Sequence, residues 1–284
     1  MFPGVRELFA DRVFAPLYGT EELHVSKDGW TLQRPTYSEL NRTPNDHVDQ
    51  GSTMKGLQCI QGSVALTDQE EEDGCFSCWP GSHKHHDEII GMINAWNPAK
   101  AKQDFQILNS TMKDVLRARG IVQTRVPVNK GDVVLWRSDL VHCGAPPIGA
   151  RDNFRAVIYV CCLPALLTPE EAYPLKQQAY HQKETGCHWP CREEWFKIVP
   201  KRHGGASPFF KKPPPLTDRQ RLLHGLDRYP GSHPEGSDHE DSGGGGGAAD
   251  GRGGAAGAAT CSPHVIAIGN RRYRTNQHAS AAEA

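Results

Sequence analysis

His47 and Asp49 are separated by a single residue in the segment His47-Val48-Asp49. Alternate side chains of an extended strand share one face, so this spacing would place an imidazole and a carboxylate side by side. Two histidines and one carboxylate form the facial triad that holds iron(II) while other coordination positions stay open. The pair therefore predicts two ligands of an iron site, and a solvated turn with a hydrogen-bonded histidine is the alternative interpretation.

His142 is the candidate for the third ligand. It follows a strand-like apolar run over residues 133–136, and a jelly roll brings strands that are distant in sequence side by side. Such closure would place His142 next to His47 and Asp49. The sequence therefore predicts that His47, Asp49 and His142 form one metal site.

Arg155 lies within a second apolar run, over residues 154–160. A guanidinium inside such a strand is costly unless it is paired, and arginine is suited to a bidentate hydrogen bond with a carboxylate. A dicarboxylate cosubstrate could therefore place one end on the metal and the other on Arg155. The rival cation, Arg151, lies in a loop-like stretch and is expected to be exposed.

The elements that must position these side chains are mostly short strands separated by Gly, Pro and Asp turns, a pattern typical of an all-β sandwich or jelly roll. We predict a mainly β domain with flanking helices over residues 1–200 and a Pro-rich, partly helical extension over 201–241. Residues 242–284 are rich in Gly and Ala, and we predict that this tail is disordered. Strands are predicted at 23–26, 30–33, 57–66, 74–79, 121–128, 133–136 and 154–160, and helices at 5–14, 87–96, 111–119 and 218–223.

Four segments in this order resemble the phytanoyl-CoA dioxygenase family of iron(II)- and 2-oxoglutarate-dependent oxygenases. They are residues 47–49, 74–83, 141–144 and 154–158, and the resemblance covers roughly residues 30–160. It implies a double-stranded β-helix (a jelly-roll, cupin-like fold) and hydroxylation of a small organic substrate by O₂, with decarboxylation of 2-oxoglutarate to succinate. His47, Asp49 and His142 would then be the catalytic iron ligands, and Arg155 would bind the distal carboxylate of 2-oxoglutarate.

The resemblance also bears on the reaction and on further contacts. Related halogenating oxygenases carry a small residue in place of the metal carboxylate, so Asp49 favours hydroxylation. Gln58, Gln61 and Ser63 follow the His-x-Asp segment on a predicted strand and are expected to contact the cosubstrate or substrate; ordinary strand hydrogen bonding is the alternative. Only about thirty residues precede Trp30, which favours the alternative of a non-catalytic jelly-roll binding module.

Two close cysteine pairs allow a third interpretation. Cys75 and Cys78, together with Cys187 and Cys191, would offer four thiolates for a structural zinc ion. Residues three apart in a strand face opposite sides, which argues against Cys75 and Cys78 sharing one metal. The sequence therefore favours the iron site over the zinc site.

Composition limits the remaining possibilities. The formal net charge of -1 argues against a nucleic-acid partner, and no apolar run approaches the roughly 18 residues of a membrane span. The first residues lack the features of a secretory signal, so the nine cysteines are expected to be reduced thiols in an intracellular, cytoplasmic protein. We predict a monomer that acts on a small molecule.

Overall fold

The computed structural model describes residues 2–35, 45–98, 103–182, 186–192, 215–230 and 265–268. The strands in this part of the chain are β1 (Leu23–Val25), β2 (Trp30–Gln33), β3 (His47–Asp49), β4 (Ile60–Ala65), β5 (Cys75–Cys78), β6 (Phe105–Ile107), β7 (Thr124–Val126), β8 (Val133–Arg137), β9 (His142–Ala145), β10 (Arg155–Pro164) and β11 (Val265–Ile268). The α-helices are α1 (Pro3–Phe9), which continues through a π-helical segment (Ala10–Phe14) into α2 (Ala15–Tyr18), then α3 (His86–Trp96), α4 (Ser110–Ala118), α5 (Ala172–His181) and α6 (Asp218–Leu223). Short 3₁₀ helices lie at Ser82–His85 and Ala165–Leu167.

Two antiparallel sheets form the frame of the protein. The large sheet has the order β1-β10-β4-β8-β11, with β2 also paired to β10, and the small sheet has the order β6-β3-β9-β5-β7. Along the chain, β3, β5 and β9 belong to the small sheet, whereas β4, β8 and β10 belong to the large one. This alternation between facing sheets is the double-stranded β-helix, so the predicted mainly β fold with flanking helices is confirmed.

The buried apolar side chains of the helices and sheets form three cores. The N-terminal helices cover the outer face of the large sheet through a core that includes Phe9, Phe14 and Val160. Helices α3 and α4 cover the small sheet through a second core around Trp79, Ile89 and Leu116. Between the sheets lies a third core, formed by Ala65, Phe76, Cys78, Val128, Val134, Trp136 and Leu140.

The alternation of β3 assigns its side chains to two different layers. Val48 is fully buried in the core beneath α3 and α4, so His47 and Asp49 face the opposite way, into the space between the sheets. The same rule applies to β4, where Gly62 faces the N-terminal helices near Phe14 and Gln61 faces inward. The strand period therefore delivers polar side chains to the interior while the outer faces remain apolar.

The segment over residues 215–230 packs on the domain rather than extending away from it. Thr217 and Gln220 form a capping box that starts α6, and Leu223 enters the core beneath the N-terminal helices. The hydroxyl of Tyr229 donates to the carbonyl oxygen of Leu23 at 2.8 Å and accepts from the Leu23 amide at 3.2 Å. These contacts attach part of the predicted extension to β1.

Several predicted boundaries differ from those in the structure. The N-terminal helical region runs from Pro3 to Tyr18, where Gly19 ends it in the left-handed conformation with φ of 69°. Strand β4 starts at Ile60 rather than at residue 57. In the tail predicted to be disordered, Val265–Ile268 forms β11 antiparallel to β8, and the Gly-rich run at 242–259 lies outside the described residues.

None of the helices in the described ranges is long and apolar enough to cross a membrane.

Candidate functional site

Strands β3 and β9 bring His47 and His142 together, although the two residues are far apart in sequence. The antiparallel register places His142 directly opposite His47, and on its other side opposite Cys78 of β5. The Nε2 atoms of His47 and His142 lie 3.7 and 3.3 Å from Oδ2 of Asp49. Within the described ranges, these three residues are the group whose ligand atoms could hold a metal ion, all within 4.8 Å of one another.

Both imidazoles are oriented by main-chain carbonyl groups. Nδ1 of His47 lies 2.6 Å from the Asn45 oxygen, and Nδ1 of His142 lies 2.9 Å from the Leu140 oxygen. A carbonyl can only accept, so each Nδ1 carries the hydrogen, and the unprotonated Nε2 is the ring nitrogen that lies near Asp49. Burial and the neighbouring His142 lower the pKa of His47 to about 4, so its imidazole is neutral near pH 7, as a metal ligand requires.

Asp49 is held as an ionised carboxylate. Burial alone would raise the pKa of its carboxyl group, but the imidazoles of His188, His47 and His142 outweigh burial and keep that pKa well below its usual range. The side-chain amide of Gln61 donates to Oδ2 of Asp49 at 2.9 Å. Two neutral nitrogen donors and one fixed carboxylate suit a divalent ion such as iron(II), and Gln61 supplies the outer hydrogen bond that orients such ligands.

Asp46 anchors the chain immediately before β3. Its side chain is buried, and it accepts hydrogen bonds from Trp79 Nε1 at 2.9 Å, Gln123 Nε2 at 2.8 Å and Lys113 Nζ at 2.8 Å. Its carbonyl oxygen accepts from the amide of Leu108, which precedes α4. These contacts join the start of β3 to the helical layer, so the position of His47 depends on the packing of that layer.

The three ligand candidates open onto a cavity of about 190 Å³ between the sheets. Its wall combines polar side chains with aromatic rings and two glycines. The lining residues are Asp28, His47, Asp49, Gln61, Gly62, Phe76, Trp136, His142, Cys143, Gly144, Arg155, Tyr159 and His188.

Arg155 is the cation of this cavity. It is the first residue of β10 and is only 2% exposed. Across the described ranges, its guanidinium has no ion pair, and its Nε is buried without a hydrogen-bond partner. A buried cation in this state fits an anionic ligand, since an unpaired buried charge is costly.

Gly144 of β9 leaves the space that the Arg155 side chain occupies. A Cβ atom at this position would lie 3.3 Å from Nη1 of Arg155, which is closer than ordinary van der Waals contact. Arg151, in contrast, has a half-exposed side chain, and its Nη1 lies 3.6 Å from Oδ2 of Asp73. The structure therefore brings Arg155, and not Arg151, into the cavity.

The three polar residues predicted to contact the ligands have different positions. Gln61 lines the cavity and contacts Asp49 directly. Ser63 is buried on the same inward face of β4, but it is not part of the cavity wall. Gln58 lies before β4 and is exposed, and its amide donates to the Lys55 oxygen at 2.6 Å, so the structure does not bring it to the site.

Two further polar residues of the site were not identified from the sequence. Asp28 lies in the turn between the strands predicted at 23–26 and 30–33, and His188 lies between the two cysteines of the second pair, which was considered only for zinc. Nε2 of His188 lies 3.2 Å from the carbonyl oxygen of Asp49 and so donates to it. The only available signal for His188 is that an aromatic and two cysteines surround it, which indicates burial rather than a role.

The cysteine pairs do not converge on one metal. Cys75 and Cys78 lie in β5, and Cys78 belongs to the core between the sheets. Cys191 packs with Cys59 and Cys161 in a separate apolar cluster, with Cys187 beside it. The four-thiolate arrangement considered from the sequence is therefore not formed by these residues.

Comparisons with known proteins agree with the geometry. The family described as phytanoyl-CoA dioxygenase matches residues 19–155. Ava biosynthesis cluster protein O of Aspergillus versicolor is 29% identical over 194 residues, which cover 67% of this chain and 61% of that protein. Ectoine dioxygenase of Stutzerimonas stutzeri is 30% identical over 99 residues, which cover 34% of this chain and 32% of that protein. The chain thus spans about a third to three fifths of these curated relatives.

Solved structures show more distant likeness. EctD from S. alaskensis with bound Fe has a TM-score of 0.39 and 16% identity, with 58% of this chain and 53% of that chain covered. The epimerase SnoN in complex with Fe³⁺, alpha ketoglutarate and nogalamycin RO has a TM-score of 0.37 and 18% identity, with 76% and 68% covered. At these scores the fold rests on the strand topology of the chain itself.

Proposed function

Because residues 19–155 match the phytanoyl-CoA dioxygenase family, we propose that the chain is an iron(II)- and 2-oxoglutarate-dependent oxygenase that hydroxylates a small organic substrate. The observation that carries the proposal is the group of His47, Asp49 and His142, the last two buried, in a cavity that also contains Arg155. The three ligand candidates match the metal ion that such a reaction needs, and Arg155 matches its anionic cosubstrate.

Each residue has a distinct role in this proposal. His47, Asp49 and His142 hold iron(II) and leave coordination positions open for a cosubstrate and O₂. Arg155 binds the distal carboxylate of 2-oxoglutarate through charge-assisted hydrogen bonds. When bound, the iron and 2-oxoglutarate supply the oxidising chemistry, and the protein provides orientation and excludes water. One atom of O₂ enters succinate, the other enters the hydroxylated product, and carbon dioxide is released.

Hydroxylation is favoured over halogenation because Asp49 occupies a ligand position. Its carboxylate is already held by Gln61 and by the surrounding imidazoles, so no room is left there for a halide. The cavity of about 190 Å³ supports a small substrate or the reactive end of a larger one.

The proposal is tested with purified protein loaded anaerobically with iron(II). We expect the wild type to bind one iron per chain and 2-oxoglutarate, and Asp49→Ala and His142→Ala to lose the iron. On exposure to ¹⁸O₂ with a small-molecule cell extract, the wild type should convert 2-oxoglutarate to labelled succinate and label one extract component. Asp49→Ala is the matched control for chemistry that does not need the site.

Two outcomes would overturn the proposal. Binding of iron and 2-oxoglutarate without succinate formation would indicate the non-catalytic binding module. Retention of metal in both ligand variants would show that the metal binds elsewhere.

A further inference from the structure

One wall of the cavity offers hydrogen-bond acceptors. Asp28 and Gln61 both line it, next to the metal ligands. Asp28 is half-buried between β1 and β2, and its carboxylate interacts electrostatically with His188 and Asp49. Arg155, which would hold the cosubstrate, is the basic residue of the lining, so this wall is not needed for 2-oxoglutarate.

Arg6 holds the main chain of Asp28 by a hydrogen bond to its carbonyl oxygen. This contact does not use the Asp28 carboxylate, which can therefore accept a hydrogen bond from a ligand. The guanidinium of Arg6 donates to the carbonyl oxygen of Asp28, and through Nη1 to that of Tyr159 at 3.2 Å. The guanidinium therefore donates to main-chain oxygens and to the Ser26 hydroxyl, and it interacts electrostatically with the Asp28 carboxylate. The positive charge of Arg6 favours the ionised form of the Asp28 carboxyl group, while the Arg6 hydrogen bonds go to other acceptors.

Ser26 provides one hydrogen bond to the Asp28 carboxylate. Its hydroxyl oxygen accepts from Arg6 Nη1 at 3.4 Å and from the Cys161 amide at 2.9 Å. The hydroxyl hydrogen is then left to donate to Asp28. Burial raises the pKa of that carboxyl group, and His188, Arg6 and the hydrogen bond from Ser26 act in the opposite direction. A carboxylate accepts more than one hydrogen bond, so capacity remains for a ligand.

The side-chain oxygen of Gln61, Oε1, is the second acceptor of this wall. Its amide nitrogen donates to Asp49, which fixes the orientation of the amide group. Its Oε1 is buried and has no hydrogen-bond partner in the described residues. Because an unsatisfied buried oxygen costs about 1–3 kcal/mol, a donor placed beside it would be stabilised.

We propose that Asp28 and Gln61 bind an N–H or O–H group of the organic substrate, so that the site accepts amines and alcohols and disfavours carboxylic acids. The inference rests on the proposed function, which assigns the metal ligands and Arg155 to iron and 2-oxoglutarate. A substrate carboxylate on this wall would face two acceptors and be repelled, whereas an ammonium group could donate to both of them and a hydroxyl group to one.

The test measures binding rather than turnover. Wild-type protein is loaded with zinc(II) as a diamagnetic substitute and with 2-oxoglutarate. Saturation-transfer NMR then gives dissociation constants for primary amines, alcohols and carboxylic acids that share the same short alkyl skeletons. Asp28→Ala and Asp28→Asn are compared with Asp114→Ala, which removes an exposed carboxylate paired with Arg117.

We expect amines or alcohols to bind the wild type more tightly than the matched acids. Asp28→Ala should weaken that binding by about 10- to 100-fold, as expected for a hydrogen bond to a charged group. An amine should lose as much in Asp28→Asn, whereas an alcohol should retain most of its affinity because the amide oxygen still accepts. Asp114→Ala should match the wild type.

The inference is overturned if the variants and the wild type bind the panel alike, if none of the amines or alcohols binds, or if the acids bind best. Metal and 2-oxoglutarate binding, measured on the same samples, separate this result from failure of the proposed function. Failure of the inference leaves both intact in every variant, whereas failure of the proposed function removes them from the wild type. Retained binding of both also shows that the Asp28 variants are folded.

Discussion

The indole N–H of Trp136 donates a hydrogen bond to Nε2 of His142 at 3.0 Å. Nδ1 of the same imidazole is used by the Leu140 carbonyl oxygen, so the indole occupies the lone pair that would bind a metal. Trp136 lies on the large sheet and His142 on the small one. The two sheets are therefore linked through the side chain of a candidate metal ligand.

A metal bound to Nε2 of His142 would replace this hydrogen bond. Trp136→Phe should therefore show how much the hydrogen bond lowers the affinity for the metal. Phenylalanine retains the ring beside Phe76 but cannot donate to His142. We expect iron(II) affinity to stay the same or to rise by about 2- to 10-fold, because a neutral hydrogen bond contributes about 0.5–1.5 kcal/mol. Titration of the metal under anaerobic conditions measures the change, and a large loss of affinity would show that the indole supports the metal-bound state instead.

Gly144→Ala should weaken 2-oxoglutarate binding without removing a charge. The added Cβ would lie 3.3 Å from Nη1 of Arg155, so the guanidinium must shift from its position. We expect a smaller loss of affinity than for Arg155→Ala, where two charge-assisted hydrogen bonds, each about 1.5–3 kcal/mol, are lost. Calorimetric titration of 2-oxoglutarate into the metal-loaded protein gives both values.

Two matched variants control this comparison. Gly91→Ala adds a Cβ within α3 where no atom lies within 4 Å, and Arg151→Ala removes the half-exposed cation that pairs with Asp73. Both should bind 2-oxoglutarate as the wild type does. Equal losses in Arg151→Ala and Arg155→Ala would contradict the assignment of Arg155.

The sequence was sufficient to identify the residues that strand geometry and burial constrain. His47 and Asp49 share a face because of the two-residue strand period, and Arg155 is an unusual cation in an apolar strand; the structure brings both features into one cavity. His142 could be selected because it follows a strand-like run, and the register opposite His47 is what makes it a candidate ligand.

Other parts of the site depend on tertiary contacts that a linear pattern does not encode. Gln58 was placed on a strand, but Gly56 adopts a positive φ of 65° and the Gln58 side chain closes onto Lys55, so β4 begins later. Asp28 resembles any residue of a polar turn. Its place in the cavity follows from Arg6, a residue of α1 whose side chain reaches across to hold the turn.

Asp46→Ala should destabilise the protein through buried donors that lose their acceptor. Lys113, Trp79 and Gln123 all direct hydrogen bonds at this carboxylate, and breaking a buried ion pair costs about 3–5 kcal/mol. We expect the urea midpoint of the metal-free protein to fall accordingly. Asp114→Ala, which removes an exposed carboxylate, should leave the midpoint unchanged, and an equal effect of the two substitutions would contradict the role given to Asp46.

Two buried histidines outside the site should make the fold sensitive to acid. His24 and His224 are both almost fully buried. Burial and the charge of Lys176 lower the pKa of His24 well below its usual value, and burial with the charges of Lys27 and Arg6 lowers the pKa of His224 to about 2. The unfolded chain binds protons at these histidines near pH 6.5, whereas the folded chain does not.

Stability at these positions is therefore complete above about pH 6.5 and is lost progressively as the pH falls toward the folded-state pKa. For His224 the loss by pH 4.5 should be about 2–3 kcal/mol. His224→Leu removes the titrating group and a buried ring with no hydrogen-bond partner in the described residues, so its urea midpoint should fall less steeply between pH 7 and about 4.5. His181→Leu, at an exposed position in α5, should follow the wild-type curve. An unchanged pH dependence in His224→Leu would show that His224 does not contribute to the acid sensitivity.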